Sequence, residues 1–124
     1  MKHVMVVDDS STVRLVTSRF LKRQGFEVSV ASDGLMALQM LAKGTRPNGF
    51  LFDLEMPGMG GFELIAEIRR KSEFARAPII VISSRTADKH RERAQQLGAT
   101  AYLAKPYEDG QLLELLESLM GLPA

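Results

Sequence analysis

Gly49-Phe50-Leu51-Phe52-Asp53-Leu54-Glu55-Met56-Pro57-Gly58 is the stretch on which the fold turns. Four uncharged residues lead directly into an acid, and a proline and a glycine follow within five residues of it. A short apolar run bounded by turn residues reads as a strand buried on both faces, as strands of parallel sheets are. Asp53 then stands at the carboxyl end of that strand. In an open α/β sheet this is the end at which ligands bind. The alternative is that Asp53 only makes a turn, a position where Asp is common. The stretch by itself supports both readings, and the flanking sequence has to separate them.

Upstream, Val4-Met5-Val6-Val7 is a second apolar run, closed by the turn cluster Asp8-Asp9-Ser10-Ser11. Ser10 or Ser11 is a natural N-cap for a first helix. Its predicted inner face carries Val13, Val16, Phe20 and Leu21, its outer face Arg14, Arg19, Lys22 and Arg23, and Gly25 ends it. Glu27 to Ala31 reads as a strand, and Ser32-Asp33-Gly34 opens a second helix carrying Leu35, Leu38, Leu41 and Ala42. A loop over 44–49 leads into the opening stretch.

Downstream of Gly60-Gly61, a third helix runs through Phe62, Leu64, Ile65 and Ile68 into the basic Arg69-Arg70-Lys71. Pro78 to Ile82 is a β-branched strand ending at Ser83-Ser84. The fourth helix, about 86–97 and so beginning near Thr86, has only Ala87, Ala94 and Leu97 as apolar members. So thin a stripe predicts a helix held weakly to the sheet. A modest strand over 100–104 ends at Lys105-Pro106, and an apolar helix over 111–120 closes the chain.

Strand and helix therefore alternate five times without a long linker, which predicts a parallel sheet with helices on both faces. Right-handed crossovers place the ends of strands 1, 3, 4 and 5 along one rim. That rim carries Asp8, Asp9, Asp53, Ser83 and Lys105, each among the first polar groups after an apolar run. Turn preference accounts for one such residue more easily than for five. Clustered carboxylates repel and drive pKa values up unless a cation compensates. Oxygen donors without Cys or His select a hard ion, and Mg²⁺ is the usual one where phosphate shares the site. A carboxylate beside that ion is a competent nucleophile toward phosphorus. Lys105 and a hydrogen bond from Ser83 would neutralise the phosphoryl oxygens.

Composition bounds the remaining classes. The chain has 124 residues, 45% hydrophobic and 25% charged, as expected of one ordinary globular domain spanning 1–124. It has no cysteine, which excludes disulfides and thiolate metal sites. Sixteen basic and fifteen acidic residues give a net charge of +1, so no global field recruits nucleic acid or anionic membrane. No apolar run approaches the roughly 20 residues of a spanning helix, and the run ending at Val7 is too short for a signal peptide. A cytoplasmic protein without membrane attachment is expected.

Val-Asp-Asp-Ser at 7–10, Asp-Leu-Glu-Met-Pro-Gly at 53–58, Ile-Ser-Ser at 82–84 and Tyr-Leu-Ala-Lys-Pro at 102–106 together resemble the receiver domain of bacterial response regulators, CheY-like. The resemblance covers the whole chain. It implies the flavodoxin-like (βα)5 three-layer sandwich with strand order 2-1-3-4-5. It implies that Asp53 is phosphorylated from the phosphohistidine of a histidine kinase or HPt domain. Mg²⁺, with Mn²⁺ able to substitute, would be held by Asp9, Asp53 and the backbone carbonyl of Glu55, with Asp8 acting through water. Ser83 and Lys105 match the switch hydroxyl and the phosphate-binding lysine, and Tyr102 the aromatic that changes rotamer. The Lys105-Pro106 bond is implied to be cis, fixing Pro106 in a structural role.

On phosphorylation the surface of the fourth helix, fifth strand and fifth helix would change its protein partners, or the domain would serve as a phosphate sink. Two segments, 8–14 and 83–91, are further similar to receivers of CheA-type chemotaxis hybrid kinases. No kinase core, HPt helix or DNA-binding domain is visible in the sequence, so any output is expected to pass through protein contacts.

Gly60 stands where the family often has Asp. Glu55 and Arg85, each two residues beyond a site group, occupy positions that tune phosphoryl lifetime in this family, and their opposite charges are expected to meet over Asp53 and screen attacking water. His3 and His90 read as surface residues, and the basic run 89–93 as a solvated face, with partner docking the alternative. Three rival functions remain in view. A haloacid-dehalogenase-like phosphatase needs an acid two residues after its nucleophile, which Glu55 could supply. A flavodoxin shares the fold, although the acidic first loop would repel a flavin phosphate. A receiver-like module could act by binding alone.

Overall fold

The computed structural model describes residues 2–85 and 87–122. Five strands, β1 (His3–Val7), β2 (Glu27–Ala31), β3 (Gly49–Asp53), β4 (Ile79–Ser83) and β5 (Ala101–Ala104), alternate with α1 (Ser11–Arg23), α2 (Gly34–Ala42), α3 (Gly61–Arg69), α4 (Asp88–Leu97) and α5 (Asp109–Met120). A single 3-10 turn, Ser72–Phe74, follows α3. All pairings are parallel and the order is β2-β1-β3-β4-β5, the order implied by the sequence. Register sets Val7 beside Phe52 and Asp53 beside Ile82, so the strand ends share one rim.

Side chains alternate between the two faces of each strand. Met5, Val7, Phe50, Phe52, Ile79 and Val81 pack with residues of α2, α3 and Ala94 of α4. Val4, Val6, Leu51, Ile80 and Ile82 face the other way, onto Leu21 of α1 and Leu112, Leu116 and Met120 of α5. Every residue of β3 and β4 is buried, so both strands are central and apolar up to their last residues. Burial of each large side chain in this core contributes ~1.5–3 kcal/mol, and the two polar strand-end residues, Asp53 and Ser83, are held at the rim by it.

Two helices turn differently from the sequence expectation. In α1 the buried residues are Thr17, Ser18 and Leu21, while Val13 and Val16 are exposed beside Leu15. Small residues let the helix lie close to the strands. The Ser18 hydroxyl is satisfied locally, donating to the Leu15 carbonyl at 3.2 Å. In α2 the inner stripe is Gly34, Ala37 and Leu41, and Leu35 and Ala42 face solvent. A Cβ on Gly34 would lie 3.0 Å from the Met59 side chain, so the helix starts tightly under the β3–α3 loop. The start expected for α4 at Thr86 lies outside the described residues. The helix observed from Asp88 buries only Ala94 and has no side-chain cap at Ala87, consistent with weak attachment.

Candidate functional site

Each strand end is fixed by its own polar groups. At the end of β1, the Asp8 carboxylate accepts the Ser10 N–H at 2.9 Å, and the Ser10 hydroxyl accepts the Val13 N–H, capping α1. Arg14 donates from Nη1 to the Asp8 carbonyl at 2.6 Å. Asp8 is buried by this turn and Asp9 is left exposed. At the end of β3, Asp53 is buried, with Oδ1 accepting the Glu55 N–H at 3.0 Å and Oδ2 accepting from Lys105 Nζ at 2.9 Å. Carboxylate oxygens of Asp8, Asp9 and Asp53 lie within 4.8 Å of one another.

The other half of the rim is built on β4 and β5. Ser83 is fully buried; its Oγ accepts the Arg85 N–H at 2.9 Å and donates to Glu55 Oε1 at 2.5 Å. Glu55 Oε1 also lies 3.4 Å from Arg85 Nε. The Lys105 N–H bonds the Ser83 carbonyl at 2.9 Å, extending the strand ladder to the lysine, and the Lys105–Pro106 peptide is cis. Tyr102 donates its hydroxyl to the Arg85 carbonyl at 2.6 Å, and the Arg91 guanidinium lies 4.7 Å over its ring.

The electrostatics follow from this packing. Burial pushes the Asp8 carboxyl up, with the Ser10 N–H opposing and the charges of Asp53 and Asp9 adding to it. Burial also raises Asp53, against the hydrogen bond from Lys105. Burial acts to raise Glu55, yet the hydrogen bond from Ser83 and its other donors outweigh it and hold Glu55 below its ordinary value. Burial acts to lower Lys105, but contact with Asp53 and the charges of Asp8 and Glu55 raise it, so it stays an ammonium. Three hard carboxylates and one fixed ammonium suit a divalent cation and a phosphoryl group together.

All five rim residues chosen from sequence come together, as do Glu55 with Arg85 and Tyr102 with the loop after β4. Sequence reasoning missed Arg14, which lies one turn after the Ser10 cap. It also missed the bond between Ser83 and Glu55, 28 residues apart. His90 lines an open cleft with Glu55, Phe62 and Arg85.

Residues 4–117 match the family model described as the response regulator receiver domain. The chain belongs to that family. Among its relatives, it is 36% identical over 115 residues to the sensor histidine kinase CheAY of Helicobacter pylori, a match spanning 92% of this chain and 14% of that protein. Protein PilG of Pseudomonas aeruginosa is 35% identical, over 93% of this chain and 84% of PilG. Chemotaxis protein CheY4 of Vibrio cholerae superposes with a TM-score of 0.91 at 34% identity, covering 96% of this chain and 98% of that one. A receiver domain of a Pseudomonas aeruginosa sensor histidine kinase, solved with a magnesium ion coordinated in its active-site cleft, has a TM-score of 0.86 at 28% identity, covering 97% and 98%. Receiver domains are generally phosphoacceptor signalling modules of two-component and chemotaxis systems and not classical enzymes, and this chain is a receiver domain by its family. No helix among the described residues is long and apolar enough to cross a membrane.

Proposed function

We propose that residues 1–124 act as one receiver unit in which Asp53 takes a phosphoryl group from the phosphohistidine of a histidine kinase or HPt domain. The observation that carries this reading is the pairing of Asp53 with Lys105 at 2.9 Å beside the carboxylates of Asp8 and Asp9. Asp9, Asp53 and the Glu55 carbonyl, with Asp8 through water, would hold Mg²⁺, and Mn²⁺ would substitute. Bound there, the ion neutralises charge on the phosphoryl oxygens.

A carboxylate oxygen of Asp53 attacks phosphorus as the P–N bond breaks, and the bonding pair leaves on the imidazole nitrogen of the donor. Lys105 stays protonated and keeps its ammonium on the acceptor carboxylate or on the phosphoryl group. Ser83 then supplies its hydroxyl proton to a phosphoryl oxygen, and Tyr102 follows the loop after β4. The face formed by α4, β5 and α5 thereby changes for a protein target, or the unit drains phosphate from a shared donor. A cytoplasmic setting fits a kinase donor of this type.

Glu55 argues against the phosphatase reading. That reading needs an acid able to give up a proton to a leaving group, and Glu55 is held in the charged form by the bond from Ser83. Intact mass after incubation with phosphoramidate and Mg²⁺ tests the proposal. One phosphoryl group is expected on the wild-type protein and none on Asp53→Asn or in the presence of a chelator. A protein that neither gains mass nor binds Mg²⁺ would be an interaction module instead, whereas Mg²⁺ binding without added mass would mean an intact site that rejects this small donor.

A further inference from the structure

Ser83 has one hydroxyl proton, and its surroundings leave it few uses. The residue is fully buried, so water cannot accept that proton, and one of its two lone pairs already takes the Arg85 N–H. The proton goes to Glu55 Oε1 in a charge-assisted bond. A phosphoryl oxygen on Asp53 would need the same proton. A hydroxyl donates once, so the two acceptors exclude one another.

We propose that Glu55 is a positioning residue that latches Ser83 in the unphosphorylated protein and thereby sets how readily segment 83–85 closes on a phosphoryl group. The latch rests on Asp53 being the phosphoacceptor. Arg85 completes it. The Arg85 guanidinium already touches the same Glu55 oxygen at 3.4 Å, so Glu55 keeps a cationic partner after Ser83 departs. The Arg85 carbonyl is the acceptor for Tyr102, so release of the latch moves the anchor of Tyr102 as well. One carboxylate therefore links the state of the site to the aromatic on β5.

Binding of fluoroberyllate with Mg²⁺, a mimic of the phosphoryl group, tests the latch by titration calorimetry. Glu55→Met keeps the side-chain length and removes the acceptor, and about tenfold tighter binding is expected. Glu55→Gln retains an uncharged acceptor and is expected to fall between Met and wild type. Removing a negative charge would also favour an anion without any latch, so both substitutions are repeated in Ser83→Ala. A latch predicts that the gain disappears there. Wild-type affinity in Glu55→Met, or the same gain with and without the Ser83 hydroxyl, overturns the latch and leaves the phosphoacceptor reading standing. Failure of the wild-type protein to take the mimic or a phosphoryl group at Asp53 overturns both.

Discussion

Asp8 shows how a single side chain can work against the fold that holds it. Its carboxyl is buried beside Asp53 and Asp9, and burial first, then those charges, raise its pKa above the ordinary value while the Ser10 N–H partly opposes them. An acid whose pKa is higher in the folded than in the unfolded state holds its proton longer when folded. Its contribution is fully present below the unfolded pKa and is lost as pH rises through the folded value. At neutral pH, Asp8 therefore weakens the ion-free protein. Asp8→Asn keeps an oxygen for the Ser10 N–H and removes the charge. In urea titrations with a chelator, the variant is expected to be more stable than wild type at pH 7. The difference should shrink toward zero as pH falls below the carboxylate range, and an unchanged gap at pH 3 would show that charge is not its origin. These five strand-end residues were legible in sequence because each follows an apolar run. The Ser83–Glu55 bond was not, since a hydroxyl and a carboxylate 28 positions apart leave no periodic trace.

At the scale of elements, the first turn of α3 determines how the Asp53 strand end is held. Gly60 is the N-cap, with φ −75° and ψ 173°, a conformation open to any residue, and nothing lies near a Cβ there. Its neighbour Gly61 is different: a Cβ would lie 2.7 Å from the Leu54 Cα, immediately after Asp53. Gly60→Ser supplies the missing cap acceptor and restricts the unfolded chain, with an expected gain of about 0.5 kcal/mol. Gly61→Ala must push helix or strand end aside, with an expected cost of about 1–3 kcal/mol. Urea midpoints of the two variants should move in opposite directions, and movement in the same direction would refute the assignment of the two roles. The elements themselves were readable from alternation and turn residues, but the rotation of α1 was not. Val13 and Val16 sit at helical spacing with Phe20, yet Thr17 and Ser18, with Leu21, are the residues that the fold buries. Spacing of apolar residues finds a helix; it does not weigh how closely small polar residues allow that helix to approach.

Across the whole molecule, Arg69 joins segments that the sheet does not. In sequence it is one member of a basic tripeptide at the end of a helix. In the fold its guanidinium donates to the carbonyls of Phe74 and Ala77 at 2.7 Å each, to the Gly98 carbonyl at 3.0 Å and to Thr100 Oγ1 at 3.3 Å. One side chain thus ties α3 to the 3-10 turn, to the approach to β4, to the C-cap of α4 and to the start of β5. Among the described residues, the far end of α4 has no comparable set of hydrogen bonds: Ala87 offers no side-chain cap and Ala94 is the one buried residue of the helix. Helix α4 is therefore pinned at Gly98 and held more weakly at its start, as the proposed response of α4 to events at Ser83 would require. Arg69→Met removes these bonds and leaves carbonyls without donors, with an expected loss of about 3 kcal/mol in urea unfolding. Arg69→Lys should recover only part of it, since one ammonium cannot span a fork of acceptors. Hydrogen exchange separates a local pin from a general loss of stability. In Arg69→Met the amides of α4 should exchange faster by a larger factor than those of β3 and β4, whereas a uniform increase would mean that Arg69 supports the whole fold and does not fix where α4 turns.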